Sequence, residues 1–274
     1  MAWYRKITLK TPDEIAEMRQ AGRINAEALQ AAYEIIRPGV TTADLNAAAE
    51  EVLKKYGVTS PFYHYPGPYP YPASTNVCIN EELVHGIPGK RKLKEGDIVS
   101  IDCGTSYNGF VGDSAFSAAV GEVSPEAMRL LKVTEQALYM GIEQMRPGNR
   151  VGDVSSAVQR YVEKHDLYVT REYTGHGVGR AMHEGPQVPN YGVPGRGIEL
   201  RTGMVIALEP MVLIGTHRTE IMPDEWTVVS ADGSLTCHWE HTVAITEDGP
   251  LVLTRLGDDS SPAQIAGQLN LELV

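Results

Sequence analysis

The sequence contains few cysteines and no long apolar segment. Only three cysteines occur among 274 residues, and such an odd, sparse set does not suggest a disulfide framework. No window approaches the roughly 20 apolar residues that a membrane-spanning helix requires. The amino-terminal stretch has no apolar core of signal-peptide length. We therefore expect free thiols, no membrane partner and a cytoplasmic location.

Positive charge is also scarce. Lys and Arg number 24 against 35 Asp and Glu, which gives a formal net charge of -11. Nucleic-acid binding needs clustered Lys and Arg, so this balance argues against a free nucleic-acid partner. The one dense basic run is Lys90, Arg91, Lys92 and Lys94, which we interpret as a solvated loop. The alternative is local contact with an anionic surface such as ribosomal RNA.

Capping residues and apolar spacing predict two pairs of helices. The sequence Thr11-Pro12-Asp13-Glu14 is typical of a helix start with a capping box, and apolar residues continue at helical spacing as far as Ile36. A second helix is predicted from about Thr42. The same pattern begins again at Ser124. Its stop signal Arg146-Pro147-Gly148 lies 109 positions after Arg37-Pro38-Gly39, and the same offset matches Asp44 with Asp153. This weak repeat favours an internal duplication.

Strand-like segments follow each helix pair and complete the predicted architecture. We expect an α+β fold in which two helix pairs cover a largely antiparallel sheet with pseudo-two-fold symmetry. One catalytic domain would cover 1–274, with halves at about 10–120 and 121–250. The tail, 257–274, could pack back as a short helix or strand.

Two aspartates are predicted to lie on one face of a hairpin. Asn108-Gly109 favours a two-residue turn, which would place Asp113 opposite Gly104 and Asp102 two residues further along the same face. Two like charges this close repel unless a cation or a proton intervenes. From this pair alone, a metal site and two solvent-facing aspartates are equally good interpretations.

Three further side chains could join these aspartates. His176 is framed by glycines, which predicts a tight, accessible loop. Glu209 ends an apolar strand and Glu240 enters another, where an unpaired carboxylate would be costly. Each could singly be a satisfied histidine or a strand-end charge that reaches water. Together, four carboxylates and one imidazole suit two divalent first-row ions, which activate water for hydrolysis.

Five stretches in this order resemble the methionine aminopeptidases, whose architecture is called the pita-bread fold. They are INEELVHGIPG (Ile79–Gly89), VSIDCGTSYNGFVGDSAFS (Val99–Ser117), TGHGVGRAMHEGPQVPN (Thr174–Asn190), MVIALEPMV (Met204–Val212) and HWEHTVAIT (His238–Thr246). The resemblance spans roughly residues 5 to 250. It implies the removal of the N-terminal methionine from new polypeptides when the second residue is small.

The resemblance also implies a role for each predicted ligand. His176 and Glu209 would hold one metal ion and Asp102 the other, while Asp113 and Glu240 would bridge both. Glu209 would relay a proton from the activated water to the leaving amine. The two divalent ions could be Co, Mn, Fe, Zn or Ni, since all accept such ligands.

Other residues of the resemblance would bind the substrate. His183 would hydrogen-bond the scissile amide and the tetrahedral intermediate, and His85 would lie near the amide at the open side of the site. Tyr71, Met182 and Trp226 are candidate walls of an apolar methionine pocket, although they could equally be core residues.

The same resemblance suggests a subtype and leaves rivals open. Some relatives carry a cysteine where Asn76 stands and an aromatic where Met182 stands. Glu209 and Glu240 are 31 residues apart, without room for the helical insertion of type II enzymes, so we expect a bacterial-type, type I enzyme. The resemblance also favours a monomer. The alternatives are an aminopeptidase or dipeptidase that cleaves before proline, a metal-free creatine hydrolase, and a binding module without activity.

Overall fold

The computed structural model describes residues 6–257, so most of the predicted tail lies outside the described residues. Within this range the chain forms four α-helices and fourteen β-strands. In chain order they are α1 (Pro12–Tyr33), α2 (Thr42–Lys55), β1 (Thr75–Ile79), β2 (Glu82–Val84), β3 (Ile98–Tyr107), β4 (Phe110–Ala119), α3 (Pro125–Glu143), α4 (Val151–Glu163), β5 (Tyr168–Val169), β6 (Thr174–Gly177), β7 (Glu184–Pro189), β8 (Val205–Leu208), β9 (Met211–Leu213), β10 (Thr219–Ile221), β11 (Val228–Ser230), β12 (Thr236–His238), β13 (Glu240–Thr246) and β14 (Gly249–Val252).

The predicted capping box is confirmed at the start of α1. Thr11 Oγ1 accepts a hydrogen bond from Glu14 N, and the Glu14 carboxylate accepts one from Thr11 N. The helix ends at Tyr33, short of the expected Ile36. Two causes act together: Pro38 disfavours helical backbone in the residue before it, and Ile36 N bonds to the Tyr33 carbonyl only three residues back.

The strands form one large sheet and two small ones. The large sheet has eight strands in the order β1-β3-β4-β13-β8-β6-β7, and β14 pairs with β13. The smaller sheets have the orders β10-β11-β2 and β12-β9-β5. All pairings between the named strands are antiparallel, which confirms the predicted α+β class.

The helices cover one face of the large sheet. Helix α1 packs on β3 and β4, and α3 packs on β8 and β13. Since side chains alternate along a strand, Ile101 and Cys103 join the main hydrophobic core with Phe116. Asp102 and Asp113 consequently point to the opposite face, where they line a pocket.

The two helix pairs begin alike. Asp44 accepts a hydrogen bond from Thr41 N at the start of α2, and Asp153 accepts one from Arg150 N at the start of α4. These two aspartates are the pair that the repeat matched. The division into two halves of one catalytic domain stays a prediction.

Two expectations from composition can be compared with the described residues. Cys78, Cys103 and Cys237 are buried free thiols, as predicted. Between residues 6 and 257, the helices are too short or too polar to cross a membrane.

Candidate metal centre

The hairpin that carries the two aspartates has the predicted register. Asn108 and Gly109 have φ angles of 48° and 75°, in the left-handed region that a tight two-residue turn requires. Gly104 therefore pairs with Asp113, as predicted from the turn. Asp102 lies two residues away on the same face, and the structure brings both carboxylates into one pocket.

Neighbouring strands bring the other three predicted ligands to the same place. Glu240 begins β13 beside β4, Glu209 follows β8, and His176 lies on β6 beside β8. Asp113, His176 and Glu240 each offer one ligand atom within 4.8 Å of the others. Glu209 Oε1 lies 3.5 Å from His176 Nε2. The pocket thus collects all five residues.

His176 differs from the prediction in its backbone. It is buried in strand β6, so the expected accessible loop was wrong. Its flanking glycines serve close packing: a Cβ on Gly175 would lie 2.6 Å from the Ala207 carbonyl oxygen, and one on Gly177 would overlap Gly185. His176 Nδ1 lies 3.0 Å from the Gly177 carbonyl oxygen, and Nδ1–H donates to it. The unprotonated Nε2 therefore faces the carboxylates of Asp113 and Glu209, and it is the ring nitrogen that could bind a metal ion.

The site concentrates acidic groups away from water. Burial raises the pKa of Asp102 to about 7. Burial, followed by the neighbouring carboxylates, also raises the pKa values of Asp113, Glu209 and Glu240 well above the usual range. Among residues 6–257, one carboxylate oxygen on each of Asp102, Asp113 and Glu240 is buried without a hydrogen-bond partner. A divalent cation would satisfy these oxygens and offset their repulsion, so the residues fit a metal centre.

Two residues that sequence reasoning did not assign hold the aspartates in place. Asn76 Nδ2 donates a 2.8 Å hydrogen bond to Asp102 Oδ2. Thr242 Oγ1 accepts from Asp113 N at 3.0 Å and donates to the Asp113 carbonyl at 2.7 Å. Asn76 had been noted only as a departure from some relatives. Its pairing opposite Asp102 across β1 and β3 follows from sheet register.

His183 lies at the mouth of the metal cluster. Its ring centroid is 4.2 Å from that of His176. Tyr65 Oη lies 2.6 Å from His183 Nδ1, which orients the ring. Tyr65 was not predicted to take part in the site, because no local signal links two residues that are 118 positions apart.

Aromatic side chains wall the other side of the pocket. The Tyr71 and Trp226 rings meet edge to face with centroids 5.1 Å apart, and the His85 ring lies 6.3 Å from Trp226. Tyr173 also contacts His85. Met182 packs with this group. Burial lowers the pKa of His85 to about 4. The expected wall residues therefore lie together.

One pocket histidine was missed altogether. His238 is 2% exposed, and its Nε2 lies 3.8 Å from Glu209 Oε2 and 3.8 Å from Glu240 Oε2. Burial lowers its pKa to about 3. The available signal was spacing, because residues two apart in extended chain share a face and His238 stands two before Glu240.

Known proteins resemble this chain over most of its length. The sequence profile of metallopeptidase family M24 matches residues 16–247. A methionine aminopeptidase of Clostridium acetobutylicum is 50% identical over 249 residues, which are 90% of this chain and 98% of that protein. The crystal structure of methionine aminopeptidase from Thermotoga maritima superposes with a TM-score of 0.88 at 46% identity, over 91% of this chain and 100% of that one.

A more distant neighbour shares only part of its chain. Prolidase from Pyrococcus furiosus superposes with a TM-score of 0.71 at 25% identity, over 90% of this chain but 65% of the prolidase. The common part is the curled antiparallel sheet with its helices. The predicted pita-bread fold is therefore confirmed.

Proposed function

The chain belongs to metallopeptidase family M24, and we propose that it releases the N-terminal methionine of polypeptides whose second residue is small. Its homologues are methionine aminopeptidases. The observation that carries the proposal is one pocket in which a buried carboxylate and imidazole cluster adjoins a wall of Tyr71, Trp226 and Met182. Such a wall suits the flexible, polarisable thioether of methionine.

We infer that two divalent ions occupy the cluster. Asp113 and Glu240 would bridge the ions, His176 and Glu209 would hold one ion, and Asp102 would hold the other. When bound, such ions acidify a water molecule and polarise the scissile carbonyl. The mixed oxygen and nitrogen ligands admit Co, Mn, Fe, Zn or Ni, and availability selects among them.

The protein side chains would handle the protons and the amide. Glu209 would carry a proton from the attacking water to the leaving amine, because its carboxylate lies beside the predicted ligand cluster, 3.5 Å from His176 Nε2. His183, oriented through Nδ1 by Tyr65, would present Nε2 to the carbonyl oxygen of the scissile amide. His85 would contact the amide from the side of Trp226.

The subtype and partners follow from the same features. The segment between Glu209 and Glu240 holds only strands and turns, as a type I enzyme requires. We propose a cytoplasmic monomer acting on nascent N-termini. Ribosome contact has less support, because Arg91 in the basic run already pairs with Glu81 and Glu82 within the chain.

Peptide cleavage by metal-stripped protein tests this function. Methionine should be released from Met-Gly-Met-Met only after Co or Mn is restored, and an N-acetylated peptide should resist because the enzyme needs a free amine. Asp113→Asn should lose both metal and activity, since it removes a predicted bridging charge. Asp248→Asn is the matched control, because Asp248 lies in the exposed turn between β13 and β14.

Each rival reading predicts a different result. An enzyme that cleaves before proline would cut an X-Pro peptide and spare Met-Gly-Met-Met. A binding module would retain no stoichiometric divalent ion, and a metal-free hydrolase would be unaffected by chelation. Full activity in the Asp113→Asn variant would refute the proposed metal centre.

A further inference from the structure

His238 lies against the metal cluster on the side away from His176. We propose that His238 is a positioning residue, whose Nε2–H donates a hydrogen bond to the outer carboxylate oxygen of Glu209 and steadies Glu240 beside it. The inference rests on the proposed function, because it assigns His238 a task in the same metal centre. The residue that His238 would orient is chiefly Glu209.

The two oxygens of the Glu209 carboxylate face different histidines. Oε1 lies 3.5 Å from His176 Nε2, on the side of the ligand cluster. Oε2 lies 3.8 Å from His238 Nε2, on the far side. A carboxylate that offers one oxygen to a metal ion is commonly held through the other by a hydrogen-bond donor. His238 stands where that donor is needed.

The Nε2 atom of His238 requires such a partner. It is buried and makes no hydrogen bond to any described residue. Leaving a polar nitrogen buried and unpaired is unfavourable, because the nitrogen has lost its hydrogen bond to water. Its 3.8 Å separations from Glu209 and Glu240 exceed the roughly 2.7–3.2 Å of a hydrogen bond. Catalytic hydrogen bonds are often long before ligands bind and tighten afterwards.

Shortening this separation to a hydrogen bond would require movement of the Glu209 side chain, because hydrogen bonds fix the His238 backbone in place. His238 N donates to Ser117 Oγ at 3.1 Å, and Ser117 Oγ lies 2.8 Å from the His238 carbonyl oxygen as donor. Pairing of β12 with β9 sets His238 opposite Met211. Glu209 follows the end of β8, and its side chain retains 13% exposure.

Direct metal ligation is the competing role for His238. Ligation would need an unprotonated Nε2, whereas donation to Glu209 or Glu240 needs Nε2–H, so the protonation of this nitrogen distinguishes the two roles. The 3.8 Å separations from both glutamate carboxylates favour the donor role. The expected contribution of His238 is therefore orientation of the Glu209 proton relay and of the metal-binding carboxylates.

Two substitutions separate this role from simple packing. His238→Met fills similar space but has no N–H donor. It should lower the metal affinity or kcat about 10–100-fold with little change in KM. His238→Gln keeps an amide N–H donor and should recover most of the loss. His217→Gln controls for the loss of a histidine outside the pocket. Calorimetric titration of metal-stripped protein gives the affinity, and steady-state cleavage of Met-Gly-Met-Met gives kcat and KM.

Native affinity and kcat in His238→Met would overturn the proposal, as would equal damage in both variants. Nitrogen NMR of the zinc-loaded, histidine-labelled protein tests it without any damaging substitution. His238 Nε2 should show the shift of a protonated ring nitrogen, and an unprotonated nitrogen would refute the donor role. If none of Co, Mn, Fe, Zn and Ni binds the native protein, the proposed function itself is wrong. If zinc binds and only the His238 signal disagrees, the positioning role alone fails.

Discussion

The amino-terminal segment is expected to stabilise the loop that carries His183. Lys10 Nζ lies 2.7 Å from Glu184 Oε2, and the two side chains are only 4% and 10% exposed. The other oxygen of Glu184 accepts hydrogen bonds from Arg180 N and Ala181 N at 2.9 and 3.3 Å. Glu184 therefore ties the loop before β7 to the segment before α1, and Lys10 neutralises its buried charge.

Lys10→Met should destabilise the protein by about 3 kcal/mol. Removing one partner of a buried ion pair costs roughly 3–5 kcal/mol, because a buried charge is left uncompensated. The lower end applies here, since Glu184 keeps its backbone donors. At roughly 2–4 °C per kcal/mol for a chain of this size, Tm should fall by about 6–12 °C.

Urea denaturation at fixed metal concentration measures the loss, with Lys54→Met as the matched control. Lys54 is 74% exposed and pairs with Glu50 at 3.6 Å, so its removal should cost no more than about 0.5 kcal/mol. A loss in Lys10→Met as small as that of the control would refute the reasoning.

The loss of stability in Lys10→Met should depend on pH, because the Lys10–Glu184 pair contains a titratable carboxylate. Burial raises the pKa of Glu184, but hydrogen bonds from Lys10 and Thr8 outweigh burial and hold this pKa below its usual value. A depressed acidic pKa contributes stability above the unfolded pKa that is lost as pH falls through the folded one. The difference in free energy of unfolding between the native protein and Lys10→Met should therefore become smaller in acid.

Three further predictions concern the metal centre. Burial raises the pKa of Asp102 from 3.8 to about 7, so the chelated fold keeps a proton that the unfolded chain releases. Together with the raised pKa values of Asp113, Glu209 and Glu240, this should make the chelated fold less stable as pH rises from about 4 to 7, and a rise in stability over that range in chelator would contradict the prediction. Gly177→Ala should lower Tm and metal affinity, because its Cβ would overlap Gly185; unchanged thermal melts would count against the packing. Thr242→Val removes both hydroxyl contacts to the Asp113 backbone and should lower the free energy of unfolding by about 1–3 kcal/mol. Native stability by calorimetry would contradict this prediction.

Local features were predictable from sequence because they depend on residues close along the chain. The Thr11 and Glu14 capping box needs only four consecutive residues. The Asn108-Gly109 turn sets the pairing of Gly104 with Asp113 by counting outward from the turn. The identity of the five candidate ligands was also readable, although it rested on the resemblance as well as on spacing. Their roles as ligands stay predictions.

Tertiary structure decided the features that depend on distant contacts. His176 was assigned to a loop because its glycines were taken as flexible, whereas they are required by the close approach of Ala207 and Gly185. Tyr65 reaches His183 across 118 positions. The residue types glycine and tyrosine do not by themselves indicate which distant residue they will contact.

The sequence by itself determined the helix starts, the hairpin register and the set of acidic and imidazole groups available to a metal ion. Only the folded chain decided that Lys10 neutralises Glu184, that Asn76 holds Asp102, and that His238 stands behind Glu209. The physical reason is range. Capping and turn energies act between neighbouring residues, whereas burial, electrostatic repulsion and hydrogen-bond satisfaction depend on which distant strands the sheet places side by side.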